Sequence, residues 1–224
     1  MHYSFQFGEI LKHWPDLLSG ALISLLVAFI AFWLGCLIGL AGALAQQHAS
    51  IWLQRLVRGY VVFFTNTPSL IQIFVLFYGL PDVGIVLSPM TAVLIGLSLN
   101  AGAYLTDIMR SGLVSVKKAE LEAAATLNMS AWQSFRYVTL PHLAKTIYPL
   151  LSNFFIWIVL GSSIGGLFGV NELAGQAIEI SSTSMRSIEA FTVTAGIYVV
   201  LTFIASAFLY AVGYWGFRVR ARFI

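Results

Sequence analysis

Five stretches of this chain, residues 17–54, 59–81, 83–106, 146–171 and 190–217, contain no Lys, Arg, Asp or Glu. Each reaches the roughly 20 residues that an α-helix needs to cross about 30 Å of hydrocarbon. The apolar runs are continuous, without alternation of apolar and polar positions, so they read as helices and not as strands of a barrel. Charged residues make up 9% of the 224 and hydrophobic ones 59%, where a soluble domain carries about a quarter charged. The expectation is an all-α integral membrane protein, one domain over 1–224, with five transmembrane helices at 18–45, 59–81, 86–107, 142–162 and 190–217.

Sidedness follows from the basic residues. Arg55 and Arg58 lie between the first two runs, Arg110, Lys117, Lys118, Arg136 and Lys145 between the third and fourth, and Arg218, Arg220 and Arg222 after the fifth. Cytoplasmic loops carry the excess of Lys and Arg, which puts these ten of twelve inside, the N-terminus outside and the C-terminus in the cytoplasm. Six of the nine acids (Glu9, Asp16, Asp82, Glu172, Glu179, Glu189) then fall on the outer face, where Glu172, Glu179 and Glu189, between spans four and five, read as solvated loop residues, with contact to a soluble solute-binding protein as the alternative. The net charge of +3 is a consequence of topology and implies no nucleic-acid partner. The opening residues carry acids, histidines and a proline, and the first run ends without a small-residue cleavage pattern, so no cleaved signal peptide is expected.

No catalytic constellation is visible. His2, His13, His48 and His142 are scattered, Cys36 is the single cysteine, and no G-x-x-x-x-G-K-[ST] phosphate loop occurs. The chain is therefore expected to bind no metal or cofactor of its own and not to be an enzyme.

The segment 115–140 differs from everything around it. Ser115 can cap a helix over Val116–Leu127, rich in Ala, Leu, Glu and Lys. Asn128 stands at its C′ position, where a left-handed residue is wanted. Ser130 with Gln133 forms a capping-box pattern that opens a second short helix, and Pro141 restricts Leu140 to an extended or turn conformation. The result is a helix-turn-helix with small residues at Ala123, Ala124 and Ala125 and charge at Glu120 and Glu122, suited to a groove on a soluble partner. A hairpin lying on lipid headgroups is the competing reading, which Lys117, Lys118 and Arg136 favour and the two acids oppose.

The stretch Glu120–Pro141, ELEAAATLNMSAWQSFRYVTLP, resembles the EAA loop of permease subunits of bacterial ABC importers: Glu-Ala-Ala, three small or variable residues, Gly, and a closing Leu-Pro. GYVVFFTNTPSLIQ, SLNAGAY and PLLSNFFIWIV are similar to the polar amino acid branch, the importers of histidine, arginine, glutamine and cystine, and the likeness runs from about residue 18 to 217. It implies a cytoplasmic coupling helix between spans three and four, with Glu120, Glu122, Ala123, Ala124, Leu127 and Asn128 meeting an ATPase. It further implies a multi-pass permease of the bacterial inner membrane that moves a polar amino acid by alternating access. The implied partners are a cytoplasmic ATPase dimer that carries ATP and Mg, a second permease, identical or different, and a periplasmic or extracellular solute-binding protein. A permease for another small polar solute and a non-transporting scaffold are the alternatives. Asn128 replaces the usual Gly, Lys117 a usual Pro, and Asp107 a usual Glu. Leu160-Gly161-Ser162-Ser163 stands where the family has a Lys-Asp-Thr-Ser or Lys-Ser-Thr-Ala run.

Candidate pathway residues are Thr67, Asn100, Asn153, Ser162 and Ser163. Gly161, Gly165, Gly166 and Gly169 weaken span four, and Ser162 and Ser163 are suited to cap a half-helix whose N-terminus holds a carboxylate. The same glycines also suit close helix packing.

Overall fold

The computed structural model describes residues 4–217, so His2, Arg218, Arg220 and Arg222 lie outside the described residues. Ten α-helices are described: α1 (Phe7–Leu11), α2 (Trp14–His48), α3 (Ile51–Thr65), α4 (Ser69–Phe74), α5 (Pro89–Val114), α6 (Lys118–Thr126), α7 (Ala131–Ser134), α8 (Leu140–Gly161), α9 (Leu173–Ser184) and α10 (Ser187–Val212). Wider π turns cover Val75–Gly79, Phe135–Thr139 and Gly213–Phe217, and tighter 3₁₀ turns cover Leu80–Val83 and Ser162–Phe168. Four stretches are long and apolar enough to cross a membrane: Trp14–His48, Pro89–Val114, Ala131–Phe168 and Ser187–Gly216. The pair Ile51–Thr65 and Ser69–Val83 makes a fifth if its two parts count as one broken span. At 35 residues α2 rises about 50 Å, well beyond the hydrocarbon thickness.

Three local expectations change. Pro141 does not interrupt the chain, since Leu140 is helical (φ −64°, ψ −43°). Proline at 141 removes the N–H that would bond the Tyr137 carbonyl, and the π turn at Phe135–Thr139 lets the helix pass from α7 into α8 around that missing bond. Ser115 does not cap α6, whose N-cap is Lys117; its hydroxyl instead donates to the Gly112 carbonyl at 2.6 Å, at the end of α5. The region between spans four and five is a helix, α9, and not a loop.

The chain packs as two compact units, one formed by the residues up to Trp33 with Thr67–Ser98 and Phe155–Ala205, the other by Leu34–Asn66, Leu99–Phe154 and the residues from Ser206 on. In the first, Ile10, Leu17, Ala21, Leu173, Ile180 and Ala190 form the core. In the second the core is Ala43, Met109, Leu113, Leu143 and Ile147. There α2 lies directly on α5, because a Cβ on Gly39 would stand 2.7 Å from the Leu105 Cβ, and one on Gly35 2.7 Å from the Ala101 Cβ. This Gly-x-x-x-Gly contact is how helices approach closely where lipid offers no hydrophobic drive between them. The outward faces are apolar, as Leu37 (66% exposed) and Phe203 (72%) illustrate.

Candidate functional site

In the segment 115–140, α6 ends as its sequence predicts. Asn128 takes φ +54°, its N–H reaches the Ala125 carbonyl at 3.0 Å, and the Met129 N–H reaches that of Ala124 at 3.1 Å. This pair of bonds is the Schellman closure of a helix C-terminus. Directly after it the Ser130 N–H donates to Gln133 Oε1 at 2.8 Å and the Gln133 N–H to Ser130 Oγ at 3.2 Å, a complete capping box. Four local hydrogen bonds, two between backbone groups and two through the Ser130 and Gln133 side chains, thus define the turn. Asn128→Val is expected to lower stability by about 1–2 kcal/mol, since a β-branched residue resists the left-handed region, whereas Asn128→Gly leaves it equal or higher. The thermal midpoint of the purified protein reads both.

The exposed surface of α6 and its C-cap includes Lys118, Glu122, Ala123 and Leu127, with Leu127 75% exposed and Trp132 beyond the turn 66% exposed. Lys118 Nζ stands 3.3 Å from Glu122 Oε1, a solvated i,i+4 pair of small energetic weight. Asn128 is exposed at the tip. Ala124 differs: at 3% exposure it packs against its own chain and is not part of the outward surface. Glu120 is half-buried, with Oε2 3.6 Å from His142 Nδ1.

The predicted second span, 59–81, is bent sharply between α3 and α4, with Pro68 extended at ψ 134°. Pro68 has no N–H to give the Phe64 carbonyl four residues earlier. Asn100 Nδ2 donates to that carbonyl at 3.0 Å, and one turn along α5 the Tyr104 hydroxyl donates to the Thr65 carbonyl at 3.2 Å. Asn100 is 2% exposed, so its amide patches a broken helix. On the other side of the break Gln72 Nε2 donates to both the Thr67 carbonyl, at 3.0 Å, and Thr67 Oγ1, at 2.8 Å.

Ser162 and Ser163 cap no helix N-terminus. Their hydroxyls donate backwards, to the Val159 and Leu160 carbonyls at 2.7 Å each, which accompanies the tightening of α8 into the 3₁₀ turn. The helix that begins here is α9, and its N-cap is Glu172. Glu172 Oε1 accepts from the Gly175 N–H at 2.8 Å, and Oε2 accepts from the Ser24 and Tyr198 hydroxyls at 2.9 Å each. The Leu173 N–H donates to Ser24 Oγ at 3.1 Å. A carboxylate does sit at a half-helix N-terminus, but it is the chain's own. Gly166 and Gly175 allow this fit: a Cβ on Gly166 would stand 2.7 Å from the Gly175 nitrogen and 3.0 Å from Glu172 Oε1. Gly169 closes the preceding turn at φ +84°.

Two of the three acids expected as solvated loop residues are buried. Glu172 and Glu189 are both 0% exposed, Glu189 accepting from the Gln6 N–H at 3.1 Å and from Arg186 at 3.0 Å. Glu179 is exposed and lines a polar pocket with Glu9, His13, Asp16 and Gln176. Lys12 donates to both Glu9 oxygens at 2.8 and 3.0 Å and holds that carboxyl below the usual carboxylate range. Asp107 and Arg110 form a long, exposed pair at 3.8 Å. Asn153 is exposed on α8, and Ser163 is partly exposed, while Ser162 is 0% exposed. Among the described residues, no three His, Cys, Asp or Glu side chains gather as a metal site.

The sequence and the fold both have relatives. The probable amino-acid ABC transporter permease YckA of Bacillus subtilis (strain 168) is 33% identical over 92% of this chain and 91% of its own length. The glutamine transport system permease GlnP of Escherichia coli (strain K12) is 28% identical over 92% of this chain and 94% of its own. A solved chain from an amino acid ABC transporter crystallised with histidines superposes with a TM-score of 0.85 at 31% identity, over 92% of this chain and 97% of that one. Residues 31–214 match the family described as binding-protein-dependent transport system inner membrane component. With most of its length inside that match, this chain belongs to the family and is an ABC transporter permease.

Proposed function

We propose that this permease is the membrane-crossing subunit of an ATP-driven importer of a polar amino acid, working by alternating access in the bacterial inner membrane. The observation that carries the reading is the likeness over nine-tenths of the chain to an amino acid ABC transporter of known structure. ATP and Mg belong to a separate cytoplasmic ATPase pair, which docks on the outward face of α6 through Glu122, Ala123, Leu127 and the Asn128 turn. The basic residues Arg55, Arg58, Arg110, Lys117, Lys118, Arg136 and Lys145 support the reading that this face lies in the cytoplasm. A second permease, the same chain or another, completes the pathway, and a solute-binding protein delivers the amino acid from outside.

Thr67, Asn153 and Ser163 are the pathway residues with reachable surface. Asn153 is favoured because an exposed amide on a membrane helix is costly against lipid and is covered by a second subunit or by a polar passage. Buried Asn100 and Ser162 act from behind.

Native mass spectrometry of the complex, purified from its host through a tag on this chain, tests the assembly. An ATPase pair with either two copies of this chain or one copy and a second permease is expected, and a complex that stays intact without ATPase refutes the reading. Glu122→Lys is expected to weaken ATPase binding about tenfold, a difference near 1.4 kcal/mol, measured as the ATPase concentration that half-saturates permease-dependent ATP hydrolysis. Competition of uptake by a panel of amino acids identifies the substrate.

A further inference from the structure

The two acids of α6 do different things. They stand two residues apart, about 200° around the helix, and so face opposite ways. Glu122 is on the outward face with Lys118. Glu120 shares its face with buried Ala124, one turn on, and looks back at its own chain.

What it meets there is His142, near the start of α8. Glu120 Oε2 is 3.6 Å from His142 Nδ1, with the His142 side chain 27% exposed and the Glu120 side chain 39%. The other ring nitrogen, Nε2, lies 3.2 Å from Ser115 Oγ. Ser115 has one hydroxyl hydrogen, and it is directed to the Gly112 carbonyl at 2.6 Å. The ring has Ser115 within hydrogen-bond reach on its Nε2 side and the Glu120 carboxylate facing its Nδ1 side. One imidazole thus bridges the end of α5, the docking helix α6 and the start of α8, within a single compact unit.

We propose that Glu120 is a positioning residue: with Ser115 it holds His142, so that α6 and the first turns of α8 move as one body. This rests on the reading that α6 docks on an ATPase, and it divides the acids of that helix into one that touches the partner and one that transmits the partner's movement to a span. A half-exposed pair adds little to stability, which leaves its geometry as its contribution.

The test uses the complex of this permease with its own ATPase subunits, in proteoliposomes with MgATP. Glu120→Gln and His142→Gln are each expected to lower the maximal permease-dependent ATP turnover about fivefold while the half-saturating ATPase concentration stays within about twofold, and the double variant to be no worse than either single one, as for residues acting as a unit. Glu122→Gln is expected to do the reverse, raising the half-saturating concentration. Ser115→Ala gives a smaller turnover loss with unchanged binding, and serves if the Glu120 variants fail to accumulate. The proposal is overturned if Glu120→Gln weakens ATPase binding whatever stands at 142, if the losses at 120 and 142 multiply, or if turnover is unaffected. Failure of the docking reading itself is separate, since the native complex would then show no ATPase binding at all.

Discussion

Replacing Glu172 with alanine is expected to destabilise the folded chain by about 3 kcal/mol or more, because removing one buried acceptor strands several donors at about 1–3 kcal/mol each. The Gly175 N–H, the Ser24 hydroxyl and the Tyr198 hydroxyl all point at its two oxygens, and at 0% exposure no bulk water reaches the site to replace it. Those groups belong to α9, α2 and α10, so the loss is felt by three helices at once. The thermal midpoint of the purified complex should fall by the order of 6–12 °C, at roughly 2–4 °C per kcal/mol for a chain of this size. Glu172→Gln keeps the shape and one acceptor, and both hydroxyls can rotate to accept from its amide, so it should cost about half as much. Tyr198→Phe removes one donor without stranding the carboxylate, and is expected to cost about 1 kcal/mol. A midpoint for Glu172→Ala within about 2 °C of the native value would show that the α9 cap does not hold this unit together.

The helix-forming segments and the turn after α6 were readable because their signals are local. Charge-free runs set the spans, Asn128 marks a left-handed residue within its own turn, and Ser130 and Gln133 bond to each other across three positions. The buried acids were misread for the opposite reason. Glu172 meets Ser24 across 148 positions and Glu189 meets the Gln6 N–H across 183. Nothing in the sequence beside an acid announces a hydroxyl that far away, so a carboxylate between two spans reads as a solvated one. The sequence reading drew a packing role only for the glycines of span four, and the close contact of Gly35 and Gly39 with Ala101 and Leu105 on α5 emerged from the fold. Ser162 and Ser163 have the right residue type for a helix cap. A serine on a helix bonds as readily to a carbonyl behind it as to an N–H ahead, and here both bond backwards.

Asn100 shows how a residue drawn from a transport motif comes to have a structural task, and Asn100→Leu should separate the two roles. Leucine matches asparagine in shape but donates nothing, so the Phe64 carbonyl loses its donor at 3.0 Å next to a proline that has none to give. With Asn100 2% exposed, the expected cost is about 2–3 kcal/mol, the penalty for a polar group buried without a partner. Tyr104→Phe, which removes the donor to the Thr65 carbonyl at 3.2 Å, should cost less, about 1 kcal/mol. The two variants together should fall short of the sum, since both carbonyls belong to one helix end and a shift that relieves one also reaches the other. If Asn100 served to contact the transported solute, Asn100→Leu would leave the thermal midpoint in place and raise the KM for uptake. A lowered midpoint with an unchanged KM in the protein that does assemble assigns the amide to the break at Pro68. The Asn and the Tyr of α5 then close the hydrogen bonds that the end of α3, just before the proline, cannot make within its own helix.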